Sequence, residues 1–274
     1  MRLRHRAIPL LLLALASPAF AAMQAEPVEW TIGETTFSGV LVHDDANAIK
    51  RPGLVMVPNW MGVTDAAVDK ARKIAGDDYV VLVADVYGKD LRPKDSTEAG
   101  AAATTLMKDR DTLRRRVGKA VEVLATHAGK VPVDADRIGA LGFCFGGSAA
   151  LELVRGGSDI AGVVTFHAGL GTDLRAAEDS ARTPVLVLNG ADDPSVTDAD
   201  IAAFENEMDA AAADWQFVNF SGARHCFAES DQTGEEFDWC VYDARAAGRA
   251  FEMMRDFFNE RFAAAREPKQ ASIP

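Results

Sequence analysis

Cations, cysteine and long apolar runs are all scarce in this sequence. Its 274 residues hold 29 Lys and Arg against 41 Asp and Glu, a formal net charge of −12 at pH 7. Three arginines and no acid precede residue 22, so the remainder carries −15. A chain so acidic repels phosphate backbones and anionic headgroups, which argues against nucleic acid and membrane surfaces as partners. Beyond residue 21 no apolar stretch approaches the ~20 residues needed to cross a bilayer. No repeat and no interdomain linker interrupts the chain. The 253 residues that follow position 21 suit one large α/β domain with a sizeable core, read here as a monomer spanning 22–266.

The first residues carry an address rather than a fold. Arg2, Arg4 and Arg6 form a positive region, Ala7 to Ala16 an apolar one, and Ala19-Phe20-Ala21 a small-x-small cleavage site. That order is a secretory signal peptide, residues 1–21, with an uncleaved anchor as the alternative. The expected location is therefore periplasmic or secreted. At the other end, residues 267–274 read as a frayed tail.

Only three cysteines are present: Cys144, Cys226 and Cys240. An odd count in an oxidising compartment suggests one pair and one free thiol. If Cys144 is the reactive one, Cys226 and Cys240 are the candidate pair, and a bridge between them would contribute roughly 3 kcal/mol by the chain-entropy model. Two reduced buried thiols are the alternative.

Strand and helix signals alternate along the chain. Val28–Ile32 and Thr36–Val42 flank Gly33-Glu34 as a hairpin. Apolar runs at 53–57, 79–84, 160–166 and 184–188 read as buried strands, and 215–220 as the last strand. Between them lie a helix opened by Thr64 and Asp65, one or two helices within 96–128 and another near 198–213. A final helix near 242–265 puts Ala246, Ala250, Met253, Met254, Phe257 and Phe258 on its apolar face. The alternation implies a mostly parallel sheet with helices on both faces and an antiparallel N-terminal hairpin.

Chemistry concentrates at Gly142-Phe143-Cys144-Phe145-Gly146-Gly147. An apolar strand precedes it and a helical stretch follows. A strand that turns sharply into a helix at Gly-x-Cys-x-Gly is a nucleophile elbow with sulfur in place of the usual hydroxyl. The turn strains its central residue, and the flanking glycines let backbones pass. The following helix points amide N–H groups at the sulfur, and the N–H of Phe145 is one candidate oxyanion donor.

A thiol nucleophile needs a base and a group to orient that base. In chain order the elbow is followed by Gly190-Ala191-Asp192-Asp193 after one strand and by Ala223-Arg224-His225-Cys226-Phe227 after the last. His225 is the candidate base. Asp193 is preferred to Asp192 as its partner, because the Gly-x-x-Asp spacing places it past the strand end. His43 and His127 read as surface residues. His167, at the carboxyl end of a strand where ligands bind in such sheets, is a candidate pocket residue.

These three segments together resemble the dienelactone hydrolase family of the α/β-hydrolases, and the likeness runs from the hairpin to the last helix. The resemblance implies an α/β-hydrolase fold and a catalytic Cys144, His225 and Asp193. It further implies cleavage of a small ester or lactone through a covalent thioester, with no metal and no organic cofactor. It makes the N–H of Trp60 the second oxyanion donor.

Two departures from the family pattern bear on mechanism and substrate. Asn59 stands where a glutamate interacts with the resting cysteine, and Asn neither takes a proton nor carries charge. Lys89 occupies the place of a substrate-binding arginine, and Glu229 stands four residues past His225 where another arginine falls. Lysine is a point charge, not a bidentate clamp. The departures speak against dienelactone itself and leave a hydrolase of the family. Asn59, Lys89 and His167 are the candidate substrate-binding residues, with Arg92 as a further cation; Arg114-Arg115-Arg116 reads as the wet face of a helix. Two other readings keep the scaffold: a thioesterase or acyltransferase with the same residues, and an exported binding protein with a silent site.

Overall fold

Alternating side chains at both ends of Gly33 build the hairpin from which the sheet starts. In the computed structural model, which describes residues 23–46 and 48–265, β1 (Met23–Ile32) pairs antiparallel with β2 (Thr35–Asp44), and Gly33 takes a positive φ of 58° in the turn. The expected leader and C-terminal tail lie outside the described residues. The remaining strands are β3 (Arg51–Val57), β4 (Val80–Val83), β5 (Val133–Phe143), β6 (Val163–Phe166), β7 (Val185–Gly190) and β8 (Trp215–Phe220). Among the described residues they form one sheet in the order β1-β2-β4-β3-β5-β6-β7-β8. From β4 onward every pairing is parallel.

Side-chain alternation along each strand divides the apolar residues between two layers. Leu54 and Met56 of β3 point to the face covered by α1 (Asp65–Ala75) and α6 (Ala244–Ala264). Val55 and Val57 point to the face covered by α2 (Ser96–Met107), α3 (Arg110–Thr126), α4 (Phe145–Arg155) and α5 (Asp198–Ala210). Both faces are thus dry, which is why these strands read as unbroken apolar runs. Thr64 caps α1, its side chain accepting from the Ala67 amide, and the buried set of α1 is Ala67, Val68, Ala71, Ile74 and Ala75.

Three details differ from the sequence expectation. On α6 the buried face is Ala246, Ala247, Ala250, Met254, Phe257, Phe258 and Phe262, and Met253 is 40% exposed, one step off the stripe. His43 is not a surface residue: it is 6% exposed inside β2. The arginine run is only partly wet. Arg114 Nη2 donates to Glu152 Oε2 at 2.9 Å, and Arg116 donates to the Val86 carbonyl at 2.7 Å with its guanidinium over the Phe37 ring, which leaves Arg115 exposed. Glu152, wholly buried, is the reason, since it also holds Arg155 at 3.2 Å and Arg110 at 3.6 Å.

Candidate active site

The strand β5 ends at Phe143 and α4 begins at Phe145, so Cys144 alone makes the corner, at φ 54° and ψ −121°. Few L residues adopt such a φ, and the surroundings enforce it. A Cβ at Gly142 would lie 2.0 Å from the Gly146 carbonyl oxygen, and one at Gly146 would lie 2.1 Å from that of Val57. Both contacts are backbone, so neither yields to a rotamer change. The Cys144 amide donates to the Phe166 carbonyl at 3.0 Å and ties the corner to β6. Its sulfur is half-buried, the free thiol of the described residues, at the end of α4 where first-turn amides have no intrahelical acceptor.

His225 follows β8 and Asp193 follows β7, and a close crossing brings their loops together. A Cβ at Gly190 would meet the Ala223 carbonyl oxygen at 2.5 Å, so only glycine allows the approach. Nε2 of His225 then lies 3.1 Å from Cys144 Sγ, and Nδ1 lies 2.6 Å from Asp193 Oδ2. Asp192 is exposed, and Asp193 is 4% exposed. The other oxygen of Asp193 accepts from the Ser195 hydroxyl at 2.6 Å and the Ser195 amide at 2.9 Å. Ser195 was not foreseen. The Asp-x-Ser spacing of a side-chain-capped turn was the available signal.

Electrostatics reinforce the arrangement. Burial alone would lower the pKa of His225, but its hydrogen bonds to Asp193 and Cys144, and the charges on both, push it up to about 10. Burial would raise the Asp193 carboxyl, yet the hydrogen bond and charge of His225 and the two bonds from Ser195 hold it below the usual carboxylate value. Such a line of groups can keep a proton on the imidazole beside the ionised Asp193 carboxylate.

Other predicted residues fall in different places. Asn59 and Trp60 line the pocket in the loop after β3, with Asn59 Oδ1 accepting from the Met61 amide at 3.1 Å. Tyr87 fixes that loop: its hydroxyl donates to the Trp60 carbonyl at 2.9 Å and its ring stacks on Phe145 at 5.4 Å. Burial, then the charge of Cys144, pushes its phenol well above the ordinary value.

His167 and Lys89 do not line the pocket. His167 is wholly buried behind His225, ring centroids 5.1 Å apart, at φ 41°. Burial, then the charges of His225 and Lys70, pushes it well below the ordinary histidine value, so it stays neutral. Lys89 pairs with Glu29 at 2.6 Å on the outside of the hairpin. Arg92 is also structural, donating to Asp85 at 3.0 Å and to the Ser38 carbonyl at 2.9 Å.

The pocket in front of Cys144 has a volume of about 550 Å³. A cation that sequence reasoning missed stands in it: Lys70 of α1, 4.1 Å above the Phe143 ring and paired with buried Glu229. The pair joins residues 159 positions apart, and on α1 alone Lys70 looks like one more solvated charge. A disulfide joins Cys226 to Cys240 and borders the same pocket. Among the described residues no cluster of His, Cys, Asp and Glu has the makings of a metal site.

Known proteins share the fold. The solved structure m3DLH is 35% identical and superposes with a TM-score of 0.81, covering 88% of this chain and 99% of the other. A dienelactone hydrolase-like promiscuous phosphotriesterase from metagenomic libraries is 33% identical at a TM-score of 0.81, over 87% of this chain and 98% of the other. A probable 2-oxo-3-(5-oxofuran-2-ylidene)propanoate lactonase from Bradyrhizobium sp is 27% identical over 65% of this chain and 74% of its own length. Residues 37–262 match the model of the dienelactone hydrolase family, and the chain, an α/β-hydrolase by fold and by its elbow, belongs to that family.

Proposed function

We propose that the protein hydrolyses a small carboxylic ester or lactone with Cys144 as nucleophile, His225 as general acid and base, and Asp193 as the group that orients and charges the imidazole. The observation that carries this reading is the unbroken run of contacts from Sγ to Nε2 at 3.1 Å and from Nδ1 to Oδ2 at 2.6 Å. His225 raised to about 10 means that the ring already holds a proton at neutral pH. Asn59 takes no part in moving it, since an amide accepts no proton.

Sulfur attacks the carbonyl carbon, a C–S bond forms, and the displaced electron pair rests on oxygen. The N–H groups of Phe145 and Trp60 stabilise that oxyanion. Collapse breaks the bond to the alcohol oxygen, which takes the proton from His225 Nε2. The neutral ring then accepts a proton from water as the water oxygen attacks the thioester. Loss of the thiolate releases the acid and restores the imidazolium.

Cys144→Ala is expected to abolish turnover of a short ester, and iodoacetamide to inactivate the native protein. Undiminished activity after either treatment ends the reading. The relative named a promiscuous phosphotriesterase favours a second activity on the same sulfur, attack at a neutral phosphotriester. Assay of a dialkyl aryl phosphate against the Cys144→Ala variant decides it. Export belongs to the proposal too: a disulfide between Cys226 and Cys240 suits an oxidising compartment. Intact mass of protein recovered outside the cytoplasm would give a start near residue 22.

A further inference from the structure

Folding ordinarily hides large aromatic side chains, each of which brings 150–250 Å² of mostly apolar surface. Around this pocket three of them stay half-buried: Trp60, Phe237 and Trp239. They form an arc. Trp60 meets Phe237 edge-on at 6.1 Å, Phe237 meets Trp239 at 5.1 Å, and Trp239 meets the ring of His225 at 5.5 Å. The arc therefore ends at the imidazole that touches Cys144 Sγ.

Two of the three rings sit on the stretch between β8 and α6, which lacks helix or strand of its own and is nonetheless fastened at several points. The disulfide ties Cys240 to Cys226, next to His225. The Val241 amide donates to the His225 carbonyl at 2.9 Å, the Tyr242 amide to the Gln232 carbonyl at 2.9 Å, and Arg224 Nη1 to the Asp238 carbonyl at 2.6 Å. A covalent bond and three hydrogen bonds thus hold aromatic surface against open pocket space, where a passive loop would turn it inward.

Charge around the pocket narrows what the arc can receive. Lys70 is already paired with Glu229, whose side chain is 3% exposed, and Asp95, Asp231 and Glu236 line the same space with Lys94. An anionic substrate would meet four acids against two lysines, one of which is already matched.

On the hydrolase reading above, we propose that the substrate is an uncharged ester bearing an aromatic ring, and that the ring seats on the arc of Trp60, Phe237 and Trp239 while the ester carbonyl lies at Cys144. The recognition is flat apolar stacking, with no carboxylate clamp.

The test is kcat/KM for six esters in matched pairs whose leaving alcohols are alike within each pair. Benzyl acetate is set against cyclohexylmethyl acetate, ethyl phenylacetate against ethyl cyclohexylacetate, and 4-carboxybenzyl acetate against its neutral methyl ester. The native protein is expected to prefer the aromatic member of at least one of the first two pairs by roughly fivefold, the worth of an aromatic contact beyond its area. It is also expected to disfavour the free carboxylate. Phe237→Leu is expected to erase the aromatic preference; because the readout is a ratio within one variant, a general loss of folded protein cancels out. Equal rates within both first pairs, a ratio unmoved by Phe237→Leu, or a carboxylate ester that performs as well as the neutral one overturns the proposal while the hydrolase reading stands. Turnover of none of the six overturns that reading as well.

Discussion

Replacing Asp193 by Asn removes a charge and keeps the shape, so it isolates what the carboxylate does to His225. In the native protein the ring stands at about 10 against an ordinary 6.5, a rise of about 3.5 units, or ~5 kcal/mol in favour of the imidazolium. Burial works against that rise, so Asp193 and Cys144 together supply more than the net amount. The 2.6 Å hydrogen bond to Asp193 is the largest single cause of the rise, so the ring should titrate at lower pH once the carboxylate is gone. The sign follows from the role. His225 must be protonated to release the alcohol, so kcat/KM falls as pH rises through its pKa. The alkaline limb, measured by pH-stat on an alkyl ester whose leaving group needs that proton, should lie near 10 in the native protein and at lower pH in Asp193→Asn. Loss of the oriented imidazole should also lower the plateau by about 10²- to 10⁴-fold, as in serine hydrolases that lose the corresponding carboxylate charge. A native limb near 6.5, or one that stays in place in the variant, refutes the reasoning.

Three further outcomes follow from the geometry. Gly146→Ala puts a methyl 2.1 Å from a backbone oxygen of β3, and thermal unfolding should show a loss of about 4 kcal/mol, with a Tm near the native one as the contrary result. Glu152→Ala removes the buried carboxylate shared by Arg155, Arg114 and Arg110, and at about 3–5 kcal/mol and 2–4 °C per kcal/mol the Tm should fall by roughly 10 °C, even though Arg155 keeps Glu207. His167, depressed when folded and ordinary when unfolded, makes the unfolded chain bind more protons as pH falls through about 6.5, so its share of stability is present above that pH and lost below it; urea unfolding of His167→Asn, whose side chain tolerates the positive φ, should show a shallower acid decline.

The legible parts of this molecule are those where one short segment carries its own reason. Gly142 and Gly146 on either side of Cys144 announce a strained corner, and the structure places backbone where each missing Cβ would go. The parallel pairing beyond the hairpin follows from apolar runs separated by amphipathic helices, whereas the strand order does not. The buried face of α1 matches its periodic positions one for one. What stayed hidden depends on partners far away in the chain. Lys70 lies one helical turn from Lys73 and nothing local marks it, yet it faces Glu229 across the pocket. Arg114 and Arg116 sit in a run that resembles a solvated face, and they are drawn inward by Glu152 and by the carbonyls of Val86 and Tyr87.

Lys89 was placed in the pocket by the family resemblance and His167 by its position at a strand end, and both signals fix where the backbone goes while leaving the side-chain direction open. At Lys89 the chain has turned back over the hairpin, so the ammonium finds Glu29 before it can find the pocket. At His167 a positive φ swings the ring under the sheet edge, into van der Waals contact with His225 and Phe227. The same φ that removes it from substrate puts it against the imidazole. A neutral ring there leaves His225 as the protonated member of the two, since a second charge 5.1 Å away in a buried site would oppose the first. The division of protons between these two histidines is thus set by packing, and it leaves the proton on the ring that touches Cys144, where the proposed mechanism uses it.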